Sequence, residues 1–159
     1  MALAEDLLRQ ALFLARKEPK NPSQASFRRA VSTAYYALFH LLIQETSANW
    51  SRSDTRDFLA RAFDHKNMRE ASTRAENAAY DPAVNPEVVS KLRAVARAFR
   101  ELQHQRHLAD YSNATGWNRF KALAVVEKAE TAFADLKSIR NEFVTQRYLV
   151  SLLSPYKEG

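Results

Sequence analysis

The side chains able to exchange a proton near neutral pH are four histidines, His40, His65, His104 and His107. Two of them belong to a pattern. Arg93, Arg97, Arg100, His104, His107 and Tyr111 follow one another at steps of four, three, four, three and four, the repeat of one stripe along a helix. A histidine can carry protons, an arginine can stabilise charge on a phosphorane, and a tyrosine can donate a hydrogen bond or stack on a base. The chemistry within reach of such a set is RNA cleavage without a metal. Arginines at i, i+4 and i+7 repel one another by roughly a few tenths of a kcal/mol per pair, so an anionic ligand or an acidic surface would stabilise them. Arg93, Arg97 and Arg100 are therefore the candidate RNA- or nucleotide-binding residues. The competing reading is a solvated charged face, with Glu101 offsetting Arg97.

Beside this stripe runs an apolar seam. Val88, Leu92, Val95, Phe99 and Leu102 are spaced for helix-against-helix packing, and the next seam position is Arg106, after which Ala109 resumes the pattern. An arginine in such a place costs several kcal/mol, as an order of magnitude, unless its charge is paired. Asp110, four residues on, is the nearest candidate partner. The other two histidines read more simply: His40, on an apolar helix, as a core or interface residue, and His65 as a favourable charge at the C-terminal end of a helix.

Several chemistries are excluded by composition. The chain has no cysteine, which removes thiolate zinc sites, thiol nucleophiles and disulfides, and fits a reducing compartment. No His-Glu-x-x-His zinc signature, serine-nucleophile elbow or dinucleotide-binding glycine motif is present, so no metal or cofactor is expected. The net charge of +6 permits an anionic partner without requiring one.

These residues need helices to hold them. The 159 residues predict one domain, 1–159, and 26 alanines against two glycines argue against a β-rich fold. Apolar periodicity predicts five helices. The first covers about 2–17, with Leu3, Leu7, Ala11 and Leu14 on one stripe and Leu8, Leu12 and Ala15 beside it. The second, about 24–46, is apolar nearly all round after Arg29, as befits a central helix. A third spans about 55–64, followed by a polar, alanine-rich stretch to residue 83 that is helical in part. The fourth opens with Asn85 as N-cap and Pro86 at the first helical position and runs to about Tyr111. The fifth runs from about 117 to 153, with a bend near 140–145, and stops before Pro155. The charged residues Glu5, Asp6, Arg9, Arg16 and Lys17 leave no visible signal peptide, and the uncharged run 30–44 is short of a membrane span. The expectation is an all-α, non-membrane, cytoplasmic protein.

The segment Arg29-Ala30-Val31-Ser32-Thr33-Ala34-Tyr35-Tyr36-Ala37-Leu38-Phe39-His40 resembles the second-helix signature of the HEPN superfamily of small helical-bundle proteins. Arg106-His107-Leu108-Ala109-Asp110-Tyr111 is similar to the segment that ends the family's penultimate long helix. The resemblance extends over nearly the whole helical layout and is loosest over about 50–84. It implies an up-and-down bundle of four to five helices and a homodimer with the arginine motifs facing a shared cleft. Many such proteins are metal-independent endoribonucleases, often toxins countered by an antitoxin, or defence effectors. Others lack the catalytic pair and act as nucleotide-binding or scaffold subunits beside a nucleotidyltransferase.

Active members carry an arginine, four to six residues, then a histidine. Here Arg106 is followed at those spacings by Tyr111 and Asn113, while Arg100 and His107 satisfy the spacing on the basic stripe, with Glu101 after the arginine. With the basic stripe and the seam arginine at such a dimer cleft, Arg106 is expected to hold a phosphate, His107 and His104 to carry protons if RNA is cleaved, Asp110 to orient Arg106, and Tyr111 to stack or donate a hydrogen bond. Whether the chain cleaves RNA or serves as a non-catalytic interaction module stays open at this level.

Overall fold

The computed structural model describes residues 2–153, and among them the backbone is helical with no strand. The helices are α1 (Leu3–Arg16), α2 (Gln24–Ser47), α3 (Arg56–Ala60), α4 (His65–Asn77), α5 (Pro86–Tyr111), α6 (Arg119–Ile139) and α7 (Phe143–Ser151), with a single 3-10 turn, Ser53–Thr55, before α3. The backbone divides into two compact units. One is drawn from residues up to Leu41 and from Glu101–Phe133, the other from Leu42–Arg100 and residues from Ala134 on. The long helices α2, α5 and α6 each contribute residues to both.

In the first unit the buried face of α1 is Ala4, Ala11 and Ala15, and Leu3 of the expected leucine stripe is exposed. Alanines on the inward face let a helix axis lie close to its neighbours, while the leucines fill the flanks. From α2 the same unit buries Phe27, Ala30, Val31, Ala34, Tyr35, Ala37, Leu38 and Leu41, as an all-round apolar helix must. Leu102 and Ala109 of α5 and Ala122, Val126, Ala129 and Phe133 of α6 are among the other buried residues of this unit.

The connection from α1 to α2 turns on Glu18, which stands in the left-handed region at φ 60. A side chain there is unfavourable unless its surroundings hold it. They do: the Glu18 carboxylate accepts from the Ser23 backbone N–H at 2.7 Å and the Ser26 hydroxyl at 2.8 Å, capping the start of α2, and its carbonyl accepts from Arg119 Nη2 at 2.9 Å. These bonds, the Ser26 hydroxyl foremost, hold the Glu18 carboxyl below its usual range.

A second pin joins the same region to the loop before α6. Gln24 Nε2 donates to the Trp117 carbonyl at 2.6 Å, and the Trp117 N–H donates back to Gln24 Oε1 at 2.9 Å.

In the second unit the α5 seam residues Val88, Leu92, Val95 and Phe99 are buried, as their spacing predicts. The start of α5 also agrees with the sequence reading: Asn85 Oδ1 accepts from the Glu87 N–H at 2.9 Å, and Pro86 is the first helical residue.

The helix count differs from the sequence reading. Instead of one helix over 55–64, a 3-10 turn leads into the five-residue α3, and the polar stretch after it forms α4. That helix starts where Asp64 Oδ1 accepts from the Asn67 N–H at 2.9 Å. The expected long last helix is two, interrupted at 140–142, where a bend was predicted. There the Glu142 N–H reaches only three residues back, to the Ile139 carbonyl at 3.0 Å, the Gln146 side-chain amide takes the Arg140 carbonyl, and Glu45 anchors the Arg140 guanidinium at 2.7 Å. Side chains replace the backbone ladder, so the break needs neither glycine nor proline. Behind it, Thr46 Oγ1 donates to the Leu42 carbonyl at 2.8 Å, and the Ser72 and Tyr148 hydroxyls form a buried pair at 2.8 Å.

Candidate functional site

Two polar clusters hold the residues singled out from the sequence, one in each unit. In the first, the seam position after Leu102 places Arg106 against α2 rather than in solvent. Its guanidinium carbon lies 5.3 Å from the centre of the Tyr35 ring and 5.8 Å from that of Tyr36. This is cation–π geometry with both phenols of the tyrosine pair, worth about 0.5–2 kcal/mol per contact depending on desolvation. Arg106 Nη1 stands 3.9 Å from Asp110 Oδ2, the partner expected one turn on. The same carboxylate oxygen accepts from the Ser32 hydroxyl at 3.3 Å.

The Arg106 side chain retains only 14% of its exposure, and its Nε is buried with no hydrogen-bond partner. An uncommitted buried N–H is costly, and the stacking and charge contacts of this guanidinium offset that cost. Tyr35 is fully buried, and burial pushes its phenol well above the ordinary value of 10.0, opposed by the charge and hydrogen bond of Arg106. A neutral phenol ring beneath a fixed cation is the result.

Beyond Arg106 the end of α5 is open. His104, His107 and Tyr111 are exposed, and the His107 and Tyr111 rings lie 5.2 Å apart at an interplanar angle of 51°. The structure thus brings together Arg106 with Asp110, and His107 with Tyr111. After Tyr111 the helix is stopped by Arg28, whose Nη1 donates to the Ala109 carbonyl at 2.9 Å and Nη2 to the Thr115 carbonyl at 3.2 Å. Arg29, the arginine of the quoted motif, is exposed.

Tyr35 and Tyr36 beneath Arg106, Ser32 on Asp110, and Arg28 on the carbonyls of Ala109 and Thr115 are contacts that the sequence reading did not connect with this end of α5. Periodicity gives each helix its faces but not which rung of α2 meets which rung of α5.

The second cluster contains Arg93, Arg97 and Arg100, for which the sequence suggested an external anion. The acceptors in the structure are internal. Arg97 Nε donates to Glu76 Oε1 at 2.9 Å, and Arg100 donates through Nε to Oε2 at 3.0 Å and through Nη2 to Oε1 at 3.2 Å. Arg93 donates to the Glu76 and Ala78 carbonyls, both at 2.9 Å, and lies 5.1 Å over the Tyr80 ring. Three arginines therefore close the C-terminal end of α4. Arg100 first and Arg97 second hold the Glu76 carboxyl below its ordinary range. Glu101, proposed as the residue offsetting Arg97, instead pairs with Lys128.

His40 is partly buried on α2 with its ring edge-on to Phe39 at 5.3 Å, and burial lowers its pKa, in keeping with a packing residue. Among the described residues no three His, Asp or Glu side chains are grouped to hold a metal ion, and no helix is long and apolar enough to cross a membrane. The chain matches no family model, no curated protein and no solved structure.

Proposed function

We propose that the chain is a HEPN-like up-and-down helical bundle that acts as a homodimer and binds RNA or a nucleotide at the cleft where the two Arg106 motifs face each other. The observation that carries this reading is the Arg106 guanidinium, stacked on Tyr35 and Tyr36 and set beside Asp110 at the foot of an exposed His104, His107 and Tyr111 face. A guanidinium fixed before its ligand arrives loses little freedom on binding a phosphate. In this reading Arg106 contacts the phosphate and Asp110, itself steadied by Ser32, orients it. Tyr111 stacks on a base. When the bound RNA is cleaved, His107 and His104 take the proton from the attacking 2′-hydroxyl and give one to the departing 5′-oxygen, so that the P–O5′ bond breaks and a 2′,3′-cyclic phosphate and a 5′-hydroxyl are the products.

The test is incubation of the purified protein with mixed RNA in EDTA, wild type beside Arg106→Ala and His107→Ala, with product ends analysed. Cleavage that persists in EDTA and disappears in both variants, each still folded, is the expected result. RNA binding equally strong in Arg106→Ala and in an Arg9→Ala control would overturn the assignment.

A second reading has its own observation: Arg106 is mostly buried in a network with Asp110, Ser32 and the tyrosine pair. As a non-catalytic module, paired with a nucleotidyltransferase or an antitoxin, the protein would use Arg106 to hold the fold or the dimer. Arg106→Ala would then dissociate the dimer, and any RNA binding, compared at equal folded fraction, would match that of wild type.

A further inference from the structure

The second unit contains a cationic site whose present occupant belongs to the chain itself. Glu76 lies in the last turn of α4, where the helix dipole disfavours a carboxylate, yet its side chain is 13% exposed and carries three guanidinium hydrogen bonds. What keeps it there is Arg97 and Arg100, with Arg93 holding the adjoining carbonyls. Among the described contacts one carboxylate and its neighbouring carbonyls face three guanidinium groups. The arginines are also accessible: the side chains of Arg97 and Arg100 are 53% and 40% exposed, and Arg97 uses only its Nε on Glu76. The shape of the site suits a tetrahedral oxyanion, because guanidinium edges from successive turns of one helix converge on a single acceptor group.

We infer that Glu76 is a built-in competitor for a terminal phosphate group, and that a phosphate dianion taken up by Arg97 and Arg100 releases the last turn of α4. A dianion balances more of the cluster's charge than a carboxylate does and offers three acceptor oxygens where Glu76 offers two. Once displaced, Glu76 gains water and leaves an unfavourable helix end. Arg93 remains on the Glu76 and Ala78 carbonyls until the turn unwinds, so binding and local unfolding are coupled at this one point. The inference concerns a different cluster from Arg106 and does not depend on the role given to Arg106 above.

The experiment is calorimetric titration of the full chain with pyrophosphate, with a 5′-phosphorylated trinucleotide and with the same trinucleotide bearing a 5′-hydroxyl. Wild type is compared with Glu76→Gln and with the double variant Arg97→Ala/Arg100→Ala. Removing the competing charge should tighten pyrophosphate binding at least tenfold in Glu76→Gln, and the double variant should lose it. Tighter binding of the phosphorylated trinucleotide than of its hydroxyl counterpart would assign the phosphate to a nucleic-acid end; binding of pyrophosphate alone would assign it to a small anhydride. Hydrogen exchange of wild-type amides 74–80 is read alongside, needs no substitution, and should accelerate on adding pyrophosphate. Equal pyrophosphate affinity in wild type and Glu76→Gln, or exchange unchanged at saturating pyrophosphate, would overturn the inference.

Discussion

Arg106 brings a positive charge into the apolar seam of α5 and sets it over the Tyr35 and Tyr36 rings. Its place in an apolar seam and its partner four residues on both follow from spacing, and the structure has Asp110 at 3.9 Å. The tyrosine pair beneath it and the Ser32 bond to Asp110 could not be found that way, because they depend on the register between two helices far apart in sequence. Replacing Arg106 with alanine is expected to cost about 1–3 kcal/mol, since it removes the cation beside Asp110 and opens space above two rings. For a chain of this size that is roughly 2–4 °C in melting temperature per kcal/mol, measurable by scanning calorimetry. Glu76 carries a pH signature. Its folded pKa lies below the ordinary value of 4.5, so the stability it contributes is present above that value and lost as pH falls through the folded pKa. Wild type should therefore lose stability in the acid range below about pH 4.5 more steeply than Glu76→Gln, as read by denaturant titration at successive pH values. The arginines are too exposed for a large effect, and about 1 kcal/mol is the expected scale.

The helices divide into those announced by strong local signals and those decided by distant ones. Asn85 and Pro86 fixed the start of α5, and substituting Asn85 with alanine should remove about 1 kcal/mol, visible as an earlier urea midpoint with an unchanged slope. Asp64 carries a comparable signal for α4, but the polar composition of that helix hides its inward face, which is only Met68, Ala71 and Ser72. The break between α6 and α7, where the sequence predicts a bend, carries neither glycine nor proline. Glu45, on α2, holds Arg140, and Gln146 reaches back to the freed carbonyl, so the interruption is written in residues 95 positions apart. One helix pair offers a clean energetic test. The Ser72 and Tyr148 hydroxyls are buried against each other, and burial raises the Tyr148 pKa well above its ordinary value. Ser72→Ala leaves the phenol buried without that partner and should cost about 1–3 kcal/mol; adding Tyr148→Phe should restore part of the loss in a double-mutant cycle.

For the molecule as a whole, the sequence made the all-helical class plain through alanine content and periodicity, while the two compact units follow from contacts that no periodicity describes. The net charge of +6 makes any RNA affinity salt-dependent, and under the proposed function the dissociation constant should rise steeply between about 50 and about 200 mM salt, with a shallower slope for Arg106→Ala, as read by filter binding at stepped salt concentrations. A different kind of consequence follows from the way the loop between α5 and α6 is fastened. Gln24 gives and takes one hydrogen bond with the backbone of Trp117, and Arg28 takes the Ala109 and Thr115 carbonyls, so these grips read main-chain atoms and are blind to most side chains between them. Such a loop is free to vary in residue identity but not in length. Exchanging Asn113 or Ala114 for other small or polar residues should pass unnoticed, whereas one inserted residue moves the Trp117 peptide out of reach of Gln24 and breaks both bonds at once. The segment bordering the candidate site is thereby a place where sequence can diversify while the spacing of the helix ends stays fixed.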